Sequence, residues 1–391
     1  IRGVGWAPTG AAREGGGAMQ HTNGLDFIAI IVCSGLVGGC GDVAPSDASP
    51  PIPIEETAAA ATTSNGASTS AGANAAKSYA VVDLGSLGGS IGYAQAISAS
   101  GEAVGLSSSA GNQRHAFAAQ EGLMHDLGTL GGTISVGSAV NQTGAVAGYA
   151  TLSTGSYRPF LIINGSMTNL GSLGGGYGSA YGINDASDVV GASKISTGDE
   201  HAFVFHDGAL RDLGTLGGPY SSAYDVNNAG QIVGYSYNTD GLFRAFTTTV
   251  AGASSMKDLG TLGGSYSRAY AVNDAGAVVG QAYLTGDEKA HAFVYQNGRM
   301  HDLDTTGGDY SEALAINNKG LVVGDFDRAD GDFLDERAFA INGGRMQDLT
   351  DLIDAASGWE LQEATGVNDS GQIVGVGTLD GQQRPFLLNP R

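Results

Sequence analysis

From Tyr79 onward the chain alternates short apolar runs with glycine-rich or polar breaks. Runs such as QIVG, AVVG and AFVF are dense in Val, Ile and Phe, and their length and bounding glycines predict β-strands rather than helices. The breaks recur. DLGSLGG or DLGTLGG begins at Asp83, Asp126, Asn169 (as NLGSLGG), Asp212 and Asp258, and decays to DLDTTGG at Asp302 and DLTDLID at Asp348. Successive starts are 43, 43, 43, 46, 44 and 46 residues apart, which makes seven units of near-constant period.

Each unit has the same internal order. A first run ends in Asn at Asn141, Asn184, Asn227, Asn273, Asn317 and Asn368, with Ser98 in the first unit. Three residues on lies a glycine, or Ser187 in the third unit, so this segment reads as a tight turn with a left-handed residue. A second strand closes on a glycine such as Gly191 or Gly234, and a variable polar loop follows. The third strand opens with His or Arg, then Ala or Pro, then Phe. The pairs Glu121-Gly122, Asn164-Gly165, Asp207-Gly208, Asn297-Gly298 and Gly343-Gly344 then predict type I′ hairpins into a fourth strand. Four short antiparallel strands per unit of this length fit a propeller blade. The expectation is therefore an all-β, seven-bladed β-propeller over residues 79–391. The last unit lacks a fourth strand, and the segment 79–85 supplies it. An open stack of the same units is the alternative.

These motifs together resemble the HAF repeat, a bacterial family described as an extracellular repeat. His115-Ala116-Phe117, His201-Ala202-Phe203 and His291-Ala292-Phe293 carry the name, and the resemblance spans all seven units. It implies an exported protein. It supplies no activity and no catalytic residues.

Composition narrows the partners. The formal charge is −21 with only 18 Lys and Arg, so phosphate backbones and anionic lipid surfaces are repelled, and no nucleic-acid partner is expected. The two cysteines, Cys33 and Cys40, both precede the repeats. The apolar run LDFIAIIVCSGLVGG ends immediately before Cys40 and resembles a lipoprotein signal. The reading is a signal region over residues 1–39, with Met19 as the true start and residues 1–18 untranslated, then lipidation at Cys40. Residues 40–78, rich in Ala, Ser, Thr and Pro, form a disordered tether. The expected location is extracellular or cell-surface, with a lipid anchor in the outer membrane as the sole membrane attachment, and the expected state is monomeric.

No catalytic motif stands out. G-x-S-x-G at residues 88–92 lies in a β context without the strand–turn–helix that motif requires. The His/Arg positions recur once per unit and, counted across the hairpin, sit diagonal to the Asp before the glycine-rich segment. His115 with Asp126, His201 with Asp212 and His291 with Asp302 are therefore expected to lock each blade. Arg158, Arg244 (with Asp258), Arg337 (with Asp348) and Arg384 are expected to do the same. Two further features share the face of the variable loops. Tyr177, Tyr220, Tyr266 and Tyr310, with Trp359 nearby, are candidate ligand-stacking residues. Asp325, Asp327, Asp330 and Asp332 are candidate calcium ligands, and calcium is the one cofactor suggested. The leading functional expectation is a non-catalytic protein that binds an extracellular carbohydrate or protein through this face. A glycan hydrolase or lyase using acidic loop residues, and a structural envelope component, are the alternatives.

Overall fold

The computed structural model describes residues 79–251, 255–304, 306–327 and 336–391. The readings for the signal region, Cys40 and the tether lie outside these residues. The fold is all-β. Gly174–Ile183, Val189–Ile195, Glu200–His206 and Ala209–Gly214 form an antiparallel sheet in chain order, and three further units repeat it. The first two units make the same four-stranded groups, joined into one sheet by a parallel bridge between Arg114 and Ile134. In the last unit Tyr79–Asp83 pairs with Gln382–Pro390, from Tyr79 opposite Pro390 to Asp83 opposite Phe386. First strands of successive units touch, and Trp359–Val367 also touches Gly88–Ile97.

The repeat follows from packing. The motif phenylalanines Phe117, Phe160, Phe203, Phe246, Phe293, Phe339 and Phe386 are all fully buried. Each lies opposite the glycine that closes the second strand, as Phe203 does opposite Gly191. A Cβ at Gly191 would collide with the Ser179 carbonyl and the Phe203 ring. The glycine thus lets the first strand approach and the ring fill the space. Both residues of all five predicted type I′ turns have positive φ, for example Asn164 at 51° and Gly165 at 74°. Ser187 takes the left-handed conformation, with φ 64°, where the other units use glycine.

Adjacent units are stitched by a rule visible in the sequence. The backbone N–H of the motif alanine donates to a serine in the next unit's first strand: Ala116 to Ser135 Oγ (2.8 Å), Ala202 to Ser221 (2.8 Å), Ala245 to Ser267 (2.9 Å) and Ala292 to Ser311 (3.0 Å). Proline has no N–H to give. Where Pro159 and Pro385 replace the alanine, the facing residues are Gly178 and Gly92. A Cβ at Gly92 would come within 2.8 Å of Pro385 Cδ.

One feature was not expected. Every first strand carries a second-half bulge, whose extra residue is Gln95, Ser138, Tyr181, Tyr224, Tyr270, Leu314 or Thr365. A bulge re-aims its side chain. Here it sets tyrosines of neighbouring first strands ring to ring, Tyr181–Tyr224 and Tyr224–Tyr270 each at 5.4 Å.

Candidate ligand-binding site

The repeating polar residues are mostly spent on the fold. His115 Nδ1 lies 2.7 Å from Asp126 Oδ2, His201 Nδ1 2.9 Å from Asp212 Oδ2, and His291 Nδ1 2.8 Å from Asp302 Oδ2. The contact with Asp302 raises the His291 pKa. The other oxygen of each aspartate accepts a backbone N–H two residues on, as Asp126 Oδ1 does from Gly128 at 2.7 Å. Asp258 and Asp348 accept the same bond from Gly260 (2.7 Å) and Thr350 (2.8 Å).

The motif arginines make varied contacts. Arg158 faces the uncharged Asn169 position and donates instead to the carbonyls of Tyr157 and Gly176. Arg384 Nη1 stands 4.0 Å from Asp83 and Nη2 donates to Gln382 at 2.9 Å. Arg244 Nε has no hydrogen-bond partner among the described residues. Arg337 stands opposite Phe326 in the ladder.

A polar pocket of about 220 Å³ lies where the first hairpin turns converge. Its walls are also committed. Asn141 Nδ2 donates to the Asn184 carbonyl (3.1 Å), and the pattern continues through Asn227, Asn273 and Asn317 to Asn368, which donates to Ser98 O at 3.0 Å. Asp185, Asn228, Asp274, Asn318 and Asp369 each accept the backbone N–H of the preceding unit's turn. This pocket reads as the seam between turns.

The candidate stacking residues gather elsewhere. Tyr220 is 44% exposed and meets Tyr237 edge-on at 5.7 Å. Tyr237 contacts Phe243 at 6.0 Å, and Phe243 stacks on Tyr266 at 4.6 Å, which meets Tyr283 at 5.5 Å. Tyr177 packs edge-on against Tyr157 at 5.7 Å, with Lys194 Nζ 5.9 Å from its ring. The structure thus brings Tyr220 and Tyr266 into one aromatic surface. It separates Trp359, which is 7% exposed and packs on Phe386 in the core. Its burial in that cluster places Trp359 among the core residues and not on the exposed aromatic surface.

Tyr310 belongs to a different cluster, one that sequence reasoning missed. Glu312 (3% exposed) stands opposite Asp325 (4% exposed) in the ladder. Glu363 holds the equivalent first-strand position of the next unit, and Arg268 that of the preceding one. Burial pushes Glu312 up to about 7, against hydrogen bonds from Tyr310 and Tyr270 and the charge of Arg268. Burial, then the charges of Glu312 and Glu336, push Glu363 up to about 8. Burial and the neighbouring carboxylates raise Asp325 well above the usual range. Asp325 Oδ1 and Glu363 Oε1 have no hydrogen-bond partner among the described residues. The available signal was positional. Five residues before each turn Asn, or before Ser98, the units carry Tyr93, Val136, Ser179, Ser222, Arg268, Glu312 and Glu363, so acidic or basic side chains charged at neutral pH in solution appear only in the last three.

The calcium expectation divides. Asp327 Oδ1 accepts the N–H groups of Asp309 (3.1 Å) and Tyr310 (2.8 Å), so it fastens a loop. Asp330 and Asp332 lie outside the described residues. No group of three or more His, Cys, Asp or Glu with metal-holding geometry occurs among the described residues.

Residues 221–387 match a family described as "Protein of unknown function (DUF3466)". No curated protein matches the chain. Among solved structures it is similar to TolB from Acinetobacter baumannii, at 12% identity and TM-score 0.40, covering 63% of each chain. It is similar to a Mycobacterium tuberculosis puromycin-hydrolyzing peptidase at 12% identity and TM-score 0.45, covering 68% of this chain and 45% of that one. It is also similar to AofleA from Arthrobotrys oligospora, at 12% identity and TM-score 0.36, covering 69% of this chain and 88% of that one. The chain therefore spans less than two thirds of the first two.

Proposed function

We propose that the protein is an exported, seven-bladed propeller that binds an extracellular glycan without transforming it. Ring closure is supported by the pairing of Tyr79–Asp83 with Gln382–Pro390, by the Asn368 bond to Ser98, and by the fit of Pro385 to Gly92. Export and a lipid anchor at Cys40 rest on the signal-like N-terminal sequence and the repeat's resemblance.

The observation that carries the binding reading is the aromatic surface of Tyr220, Tyr237, Phe243, Tyr266 and Tyr283, drawn from the fourth and fifth units. Packing is served in every unit by the buried phenylalanine, so this surface is not needed to repeat the fold. Flat rings with hydroxyl tips stack on sugar faces and hydrogen-bond their edges. The test is glycan-array binding by the full chain and by Tyr220→Ala and Tyr266→Ala. Binding that falls about tenfold in the variants, with the oligosaccharide recovered intact, supports the reading; no binding to any glycan ends it.

A hydrolytic reading has one observation in its favour, the raised carboxyl groups of Glu312 and Glu363, since a general acid must hold its proton near neutral pH. Turnover of a glycan that Glu312→Gln abolishes would replace the binding reading with this one.

A further inference from the structure

We propose that the protein holds two equivalent sugar-stacking sites, one where the second unit meets the third and one where the fourth meets the fifth, so that it grips a repeating polysaccharide at two points. The inference rests on the glycan-binding reading and adds to it the number of sites and the class of glycan.

Three positions of the repeat come together where one unit adjoins the next. They are the residue after the second-strand glycine, the residue before the motif His or Arg, and the residue seven before the next unit's turn Asn. Between the fourth and fifth units these are Tyr235, Phe243 and Tyr266, so two of the three belong to the aromatic surface already described. Between the second and third units they are Tyr149, Tyr157 and Tyr177. The ring contacts repeat with the positions. Tyr149 lies 5.9 Å from Tyr157, and Tyr235 lies 6.1 Å from Phe243. Tyr157 lies 5.7 Å from Tyr177, and Phe243 lies 4.6 Å from Tyr266. In both trios the inner ring is enclosed: burial pushes the hydroxyl pKa of Tyr149 and of Tyr235 up to about 12. The outer rings, Tyr177 and Tyr266, are half-buried and keep part of their surface open to solvent.

The sheets do not need this trio. Between the third and fourth units Ala192 and Glu200 take the first two positions beside Tyr220, and between the fifth and sixth Gln281 and Ala290 take them beside Tyr310. Strands pair there with the same registers. At every other boundary at least two of the three positions are not aromatic, so the full trio is a property of these two places. An enclosed inner ring and a side wall fix the angle of the outer tyrosine. A ring held in this way loses little freedom when a sugar face stacks on it. Equivalent positions also put both trios at the strand ends that carry the variable loops. Two sites set two units apart on one face can be filled by one chain of repeating sugars, the second contact forming at high effective concentration. An isolated monosaccharide gains nothing from the arrangement.

The test uses the full chain and the polysaccharide with the strongest array signal, offered intact and as its free disaccharide. Native mass spectrometry and calorimetry count the disaccharides bound at saturation. Two per chain are expected, one after Tyr177→Ala, one after Tyr266→Ala and none after both. Tyr177→Phe keeps the flat face and should retain two. If Tyr177→Ala fails to fold, Tyr177→Leu, which keeps bulk without a flat face, replaces it with the same expectation. Each single variant should also lose at least about tenfold in apparent affinity for the intact polysaccharide, while the remaining site holds its affinity for the disaccharide. One disaccharide per chain, unaffected by Tyr177→Ala, overturns the inference and leaves the glycan reading standing. So do two that survive both changes. A blank array ends the glycan reading and this inference with it.

Discussion

At the residue scale the structure explains an alternation that looks arbitrary in sequence. The motif position is alanine in the four cases where the next unit offers serine and proline in the two where it offers glycine, Gly178 and Gly92; Ala338, whose next unit carries Gln362 there, stands outside the rule. The rule predicts coupling between residues 293 positions apart in the chain, Gly92 and Pro385. Gly92→Ser should destabilise the fold by about 1–3 kcal/mol through its clash with the proline ring. Pro385→Ala in the same chain should restore about 1 kcal/mol or more, because the new N–H then finds the new hydroxyl. Additive effects in chemical denaturation would show that the two do not meet. The His–Asp lock was legible because its spacing is set by the hairpin. The contacts of Arg158 were not, since it faces Asn169 and donates to the carbonyls of Tyr157 and Gly176, a choice that spacing does not encode.

At the element scale, strands and hairpins were legible because Asn-Gly, Asp-Gly and alternating apolar runs act locally. The first-strand bulges were not. Their extra residue ranges from Gln95 to Leu314 and Tyr270, so composition gives no sign of them. The acid cluster stayed hidden for a related reason: Glu312 and Glu363 are unremarkable in strands whose neighbours across the unit boundary are unknown. The strand Tyr79–Asp83 makes a direct prediction. Deleting residues 79–83 exposes the edge of Gln382–Pro390, whose Phe386 and Leu388 are fully buried. The shortened chain should melt lower and self-associate, as unpaired edges do. Added YAVVDLG peptide should reverse both effects in light scattering and thermal melts. Indifference to the peptide would mean that this edge is not what the deletion exposes.

At the scale of the whole molecule, the buried acids set a pH dependence. Glu312 is raised to about 7, Glu363 to about 8 and Asp225 to about 6, all mainly by burial, and Asp325 and Glu336 shift the same way. The groups facing the cluster from adjoining strands are Arg268, Tyr270 and Tyr310. A carboxyl whose pKa is higher folded than unfolded favours the fold while protonated. Its contribution is complete below the unfolded value near 4.5 and is lost as pH rises through the folded value. His291, also raised, acts in the same sense. Stability should therefore fall by about 2–5 kcal/mol between pH 5 and about pH 8. Glu312→Gln with Glu363→Gln should flatten that slope. A melting temperature that climbs over this interval would contradict the burial of these groups.

The pairing of Tyr79 with Pro390 has a consequence for how the chain can be cut and rejoined. Because those two residues lie side by side in one sheet, a short linker can join them. New ends can then be opened at a tight turn such as Asp207-Gly208. In that circular permutant the sheet once completed by both ends becomes a continuous hairpin, and the third unit takes over the task of holding first and last strands together. The starting point of the repeat then becomes a matter of translation order.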